Sequence, residues 1–279
     1  MRRSRSDSRE LRSFCAFLTA LAEDRRHGAY WLAGNLYRRT RDLLRRSGER
    51  FAAWPPSVRS RLARAVERAQ PAMGPFLALS EVLRRGTRAT DGRPFRRIDG
   101  LAWIEHRLRQ MAEERVCLPR RIARRLPIRA RVVTFSHSEL VERTLLEAHR
   151  IGRTIEVVAA RSDPGAEGWR LGRRLRSAGI PVRFVRDLAA AEEVRSADLL
   201  LVGADAIYRD RSIAHKVGTR RLARVAHRAG VMVWVAAGPS KFVDRPPPRR
   251  APSPLYDITP GRWLRLMERP STTDRRPIR

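Results

Sequence analysis

Cysteine is scarce in this chain of 279 residues: there are only two, Cys15 and Cys117. They are too few for a disulfide framework and too far apart for a zinc knuckle, so a reduced, cytoplasmic setting is expected. Long apolar runs are missing as well. None approaches the ~18 residues that a membrane-spanning helix needs, and Met1, Arg2, Arg3, Ser4 and Arg5 lack the apolar core of a secretory signal, so no membrane partner is expected. Lysine is nearly absent, with Lys216 and Lys241 alone among 60 basic residues. Acidic residues number only 29, which leaves a formal net charge of +31. Such a charge fits a polyanion partner. It also fits GC-rich coding, which writes arginine for lysine throughout. The arginines run along the whole chain and are not gathered in one aromatic-studded patch, which favours the compositional explanation. Weak, salt-sensitive RNA binding is expected either way.

What is present is enough for a core: 42% of residues are hydrophobic, which suits one large or two modest domains. Residues 1–10 are polar and expected to be disordered. From Leu11 the apolar residues Phe14, Cys15, Leu18 and Leu21 recur at helical steps. Further helices are expected over 27–46, from Ser57 (as N-cap) through 69, over 76–85 and over 99–116, with a polar loop at 87–94. Residues 11–125 thus read as an all-helical domain, with basic, proline-bearing 119–131 bridging to the next.

The period then changes. Short β-branched or apolar runs at 131–135, 154–159, 181–185, 197–202 and 231–236 alternate with helical stretches at 139–150, 167–177, 188–195 and 212–228. Strands alternating with helices mean βαβ units and a parallel sheet. The run Leu199, Leu200, Leu201, Val202 is apolar on both faces, as a central parallel strand should be. The fold class is therefore α/β: a helical N-terminal domain, then a Rossmann-like domain over 126–269 with a mainly parallel sheet. A last helical turn is expected over 263–267 and a tail over 270–279. Pro246, Pro247 and Pro248 read as a rigid surface crossover.

Ligands of open parallel sheets bind beyond the carboxyl ends of the strands, so the polar turns there are the candidate site. The glycine fingerprint of dinucleotide folds and the Walker loop are both absent. Ser136, His137 and Ser138 occupy the first turn instead, where their hydroxyls and the N–H groups opening the next helix offer a phosphate seat; plain N-capping by Ser138 is the competing explanation. Asp205 follows Gly203 after the buried strand, a position for a general acid or base or for a partner of a nearby arginine. Lys216, expected in the opening turns of a helix, is either an anion ligand or an ordinary solvated lysine. His137, His215 and Asp205 have no metal-ligand spacing, so neither a metal nor a cofactor is expected.

These pieces occur in a familiar order: Val133 to Ser138 with its Thr-Phe-Ser-His-Ser, Gly179-Ile180-Pro181, Gly203-Ala204-Asp205-Ala206-Ile207, Lys216-Val217-Gly218-Thr219, Ser240-Lys241-Phe242 and Asp257-Ile258-Thr259-Pro260. Together, over about 131–260, they resemble the family of initiation factor two-B alpha, beta and delta subunits, which also holds methylthioribose-1-phosphate and ribose-1,5-bisphosphate isomerases. The resemblance implies a dimer built through the C-terminal domain, homomeric or with related subunits. It also implies a site in which a cysteine and the Gly-Ala-Asp aspartate do the chemistry. The aspartate is Asp205, but the cysteine position aligns with Ser136. The family's asparagine before Lys-x-Gly-Thr is His215, and its phosphate-gripping arginine has become Asp163, with Arg161 two residues away. The expected function is thus binding of a phosphorylated sugar or nucleotide, by Ser138, His137, Arg161, Gly203, His215, Lys216 and Lys241, in a regulatory subunit without the isomerase cysteine. The alternative is an aldose-ketose isomerase of a phosphorylated pentose, with Asp205 and Ser136 catalytic.

Overall fold

The computed structural model describes residues 5–24, 26–47, 55–85 and 97–268. The terminal tail expected over 270–279 and the loop at 87–94 lie outside the described residues. The described residues divide into two compact units, one ending at Met111 and one beginning at Ala112.

The first unit is helical: α1 (Arg5–Glu23), α2 (Ala29–Ser47), α3 (Pro56–Ala69), α4 (Gly74–Arg85) and the start of α5 (Arg97–Arg125). Helix α1 thus begins ahead of Leu11, where the apolar period starts, and includes residues expected to be disordered. Apolar residues three and four apart turn inward: Phe14, Leu18 and Leu21 from α1, Leu32, Leu36 and Tyr37 from α2 are all buried. Tyr37 also places its hydroxyl against the Pro75 carbonyl at 3.1 Å, so its polar end is satisfied in the core. Helix α3 is not capped by Ser57: it starts at Pro56, after Pro55, with no side-chain cap. Proline takes the first helical position because its missing N–H has no intrahelical partner there.

Helix α5 corrects the expected bridge. It continues through Pro119 to Arg125. The ring removes one backbone hydrogen bond, but Leu118, Ile122 and Leu126 recur at a four-residue step and are fully buried. Tertiary packing therefore overrides the local break.

The second unit is built on a six-stranded sheet in the order β3-β2-β1-β4-β7-β9. Its strands are β1 (Arg129–Thr134), β2 (Thr154–Ala160), β3 (Val182–Val185), β4 (Leu199–Val202), β7 (Met232–Val235) and β9 (Arg265–Leu266). Every pairing is parallel, and β4 is buried along its whole length. The last helical turn expected over 263–267 is replaced by a 3-10 turn at Gly261–Trp263 and the edge strand β9.

Helices α8 (Ala190–Arg195) and α9 (Thr219–Arg228) pack into one core cluster with Val133, Val158, Leu200 and Val233. Helices α6 (Glu139–Arg150) and α7 (Glu167–Ser177) lie on the other face. There Gly172 comes so close that a Cβ would stand 2.9 Å from the Cβ of Ala159, the next residue along β2 from Val158 and therefore on the opposite face.

A small antiparallel sheet, β5-β6-β8, was not foreseen: β5 (Ala206–Ile207), β6 (Ile213–Lys216) and β8 (Tyr256–Thr259). It overturns the helix expected from 212. His215 and Lys216 sit on β6, paired with Asp257 and Tyr256, and the helix starts only at Thr219.

Candidate functional site: a crevice at the strand ends

In this sheet β1, β2 and β3 run outward on one side and β4 and β7 on the other, so the order reverses between β1 and β4. That switch point is where an open α/β sheet leaves a crevice. The turns after β1 and β4 meet there. A Cβ on Gly203 would lie 2.5 Å from both Cβ and Oγ of Ser138 and 3.5 Å from Nε2 of His215. Only glycine lets these three segments approach so closely.

The neighbouring strand ends are joined by hydrogen bonds. Ser136 has a left-handed backbone, φ 64°, and donates its N–H to Ser162 Oγ at 2.6 Å. Ser162 and Asp163 donate their N–H groups to the two carboxylate oxygens of Asp187, at 2.6 and 2.7 Å. The turns after β1, β2 and β3 thus form one network. Ser138 stands at the N-cap position of α6 with an extended backbone, yet its hydroxyl makes no capping bond. Simple N-capping therefore does not account for it.

His215 is buried at 4% exposure. Its Nδ1 lies 3.0 Å from Thr219 Oγ1, and that hydroxyl donates to the Lys216 carbonyl at 2.6 Å. A hydroxyl has one proton, so Nδ1 must carry the hydrogen between His215 and Thr219, and Nε2 is left as an acceptor on the Gly203 side. Burial pushes the imidazole pKa down, and Lys216 and Lys241 add to that, while Asp205 opposes it. The ring is neutral at physiological pH. Asp205 is half-buried, and its N–H is fixed to the Ala214 carbonyl at 2.9 Å.

The other candidates have partners of their own. Lys216 Nζ donates to the Pro164 carbonyl and lies 3.0 Å from Glu167 Oε1. It is neither solvated nor helical: it ties β6 to the loop before α7. His137 Nε2 lies 2.6 Å from Glu142 Oε2. Burial opposes the charge of Glu142, but His137 and Arg174 outweigh it and hold the carboxyl below its usual range. Arg161 pairs with Asp163 at 3.0 Å and covers the Trp169 ring at 5.2 Å. Lys241 is buried on a 3-10 turn, Pro239–Lys241, whose Ser240 N–H donates to Glu114 Oε1 at 2.6 Å.

The structure thus brings together Ser138, Gly203 and His215, with Ser136 and Asp205 on the same turns, and leaves His137 and Arg161 in pairs of their own. Among the described residues no group of three His, Cys, Asp or Glu side chains could hold a metal ion. Both cysteines are exposed, on α1 and α5. Sequence reasoning missed Asp187, Thr219 and Glu167. Asp187 follows a short strand and carries no motif; Thr219 lay within Lys-x-Gly-Thr but was not weighed as a partner of His215.

Comparison with known proteins gives a consistent picture. A stretch of 111 residues is 34% identical to a ribose 1,5-bisphosphate isomerase of Archaeoglobus fulgidus, covering 40% of this chain and 36% of that protein. Another of 123 residues is 31% identical to the translation initiation factor eIF2B subunit alpha of Caenorhabditis elegans, covering 44% and 40%. The chain therefore spans less than half the length of either relative. The crystal structure of the Pyrococcus horikoshii translation initiation factor eIF-2B superposes with a TM-score of 0.73 over 95% of both chains at 23% identity, a likeness of fold. The model of the initiation factor 2 subunit family matches residues 103–252. Since that match takes in more than half of its length, this chain belongs to the initiation factor 2 subunit family.

Proposed function

We propose that the crevice binds a phosphorylated sugar or a nucleotide, and that the chain acts as a regulatory or assembly subunit, dimeric and cytoplasmic, without isomerase turnover. The observation that carries this reading is the meeting of Ser138, Gly203 and His215 at the switch point. An uncapped hydroxyl beside the first-turn N–H groups of α6 suits a phosphate oxygen, and the lone pair of a neutral, buried imidazole suits a sugar hydroxyl. Ser136 supports the absence of turnover: it stands where the family resemblance places the isomerase cysteine, and a hydroxyl is a far weaker acid than a thiol, whose pKa is about 8.5.

The second reading is an aldose-ketose isomerase of a phosphorylated pentose. Asp205 favours it, because a carboxylate at the crevice can take the proton from one sugar carbon and, as the carboxylic acid so formed, return it to the adjacent carbon. Phosphorus NMR with ribose 1,5-bisphosphate separates the two. Broadened ligand lines without new resonances are expected for a binding subunit. New product resonances that vanish in Asp205→Asn would replace that reading with the isomerase, and an unchanged spectrum would reject both for this ligand.

A further inference from the structure

Away from the crevice, α8, α9 and β8 enclose a groove of about 550 Å³ lined by Arg195, Arg220, Arg221, Arg224, Arg228, Ala191, Val225 and Asp257. We propose that this groove binds the phosphate backbone of a nucleic-acid strand. Three observations carry the assignment.

The first is spacing. Arg220, Arg224 and Arg228 recur at a four-residue step on α9. They therefore stand in a row about 6 Å apart along the helix axis, a repeat suited to successive phosphates of one strand and longer than a single phosphate needs. Each guanidinium is a planar fork that meets two phosphate oxygens.

The second is neutralisation. Other helices of this unit interleave carboxylates with their arginines: Arg143 pairs with Glu139 and Arg150 with Glu147 on α6, and the groove's own Arg195 pairs with Glu192 on α8. Helix α9 contains no acidic residue. Among the described residues Arg220, Arg221, Arg224 and Arg228 form no ion pair. The carboxylate in the lining, Asp257, already accepts the N–H groups of Gly218 and Arg220, at 2.7 and 3.2 Å. A coding habit raises the number of arginines; it does not account for four unpaired ones lining one concave surface whose single carboxylate is already engaged.

The third is what the lining lacks. Ala191 is buried and Val225 half-buried, and there is no aromatic residue. Protein partners need apolar or aromatic anchors, and single-strand binders that hold the bases need aromatic stacking platforms. The groove provides neither, so it reads the backbone without sequence preference.

The test compares two triple variants of equal charge in the whole chain. One is Arg220→Gln, Arg224→Gln, Arg228→Gln. The other is Arg61→Gln, Arg64→Gln, Arg68→Gln, on the exposed face of α3. Glutamine is a good helix former and all six arginines are exposed, so both variants keep the fold, which melting curves verify. Binding of a labelled unstructured RNA of about 30 nucleotides is followed against salt. The α9 variant should bind about tenfold more weakly, with its log-log salt slope reduced by about 2, and the α3 variant should stay within about twofold of the parent. Arg224→Gln alone should lower the slope by about 0.7. Equal losses in the two triple variants, an unchanged α9 variant, or displacement of the RNA by polyglutamate at equal charge would each overturn the proposal.

Discussion

A methyl group on Gly203 would stand 2.5 Å from both Cβ and Oγ of Ser138, well inside van der Waals contact. Gly203 follows β4 directly and Ser138 is the N-cap residue of α6, so neither backbone yields easily. Gly203→Ala should therefore destabilise the protein by about 1–3 kcal/mol, the usual cost of overpacking, and should abolish ligand binding in the crevice. Adding Ser138→Gly removes both clashing atoms and should restore most of the stability. Ser138→Ala keeps the Cβ and should restore little. Urea unfolding of the three variants measures this, and equal rescue by glycine and alanine would show that the clash is not the cause.

How far the sequence revealed this arrangement depends on the range of the forces. Leu199, Leu200, Leu201 and Val202 announce a central strand because burial on both faces is a local compositional signal. Pro119 misled because its local effect is real but is outweighed by Leu118, Ile122 and Leu126, whose burial depends on distant neighbours. His215 and Lys216 read as helical because they adjoin a genuine helix; what holds them extended is β8, some forty residues on, and that pairing leaves no periodic trace in four residues. The site was legible to the same degree. Gly203 and Ser138 announce themselves at strand ends, whereas Asp187 acts through two backbone N–H groups that no motif marks.

Lys216 was a candidate phosphate ligand, yet its ammonium is held by the Pro164 carbonyl and Glu167. Lys216→Met should lower stability by about 1–3 kcal/mol, because it strips a partner from each acceptor. Glu167 remains partly open to solvent, so the Lys216–Glu167 coupling should be only about 1 kcal/mol in a double-mutant cycle with Glu167→Gln. If Lys216→Met instead weakens sugar-phosphate binding at unchanged melting temperature, the lysine serves the ligand and not the loop.

Glu114 fixes the turn that carries Lys241. Its carboxylate accepts the N–H and hydroxyl of Ser240 while buried, and a Cβ on Gly238 would meet its Cδ at 2.2 Å. Glu114→Ala should cost about 2–4 kcal/mol, since buried donors lose a charged acceptor. Gly238→Ala should be damaging in the parent and much better tolerated in the Glu114→Ala background, where that side chain is gone. Additive losses in thermal melts would refute the steric link.

The neutral state of His215 has a pH consequence. In the unfolded chain its pKa is the ordinary value of about 6.5. In the folded protein burial, reinforced by Lys216 and Lys241 and opposed by Asp205 and Glu167, lowers it. Below pH ~6.5 the unfolded state takes up a proton that the folded state refuses, so stability is lost as the pH falls through that value and the loss continues down to the folded pKa. His215→Asn removes this titration while keeping a side chain able to face Thr219. The difference in unfolding free energy between the parent and His215→Asn should be constant above pH ~7 and should shift in favour of the variant at lower pH. The other histidines contribute equally to both proteins and cancel in the difference. A pH-independent difference would mean that His215 protonates as readily folded as unfolded, and the acceptor role given to its Nε2 would then fail, because an imidazolium has no lone pair to offer a sugar hydroxyl.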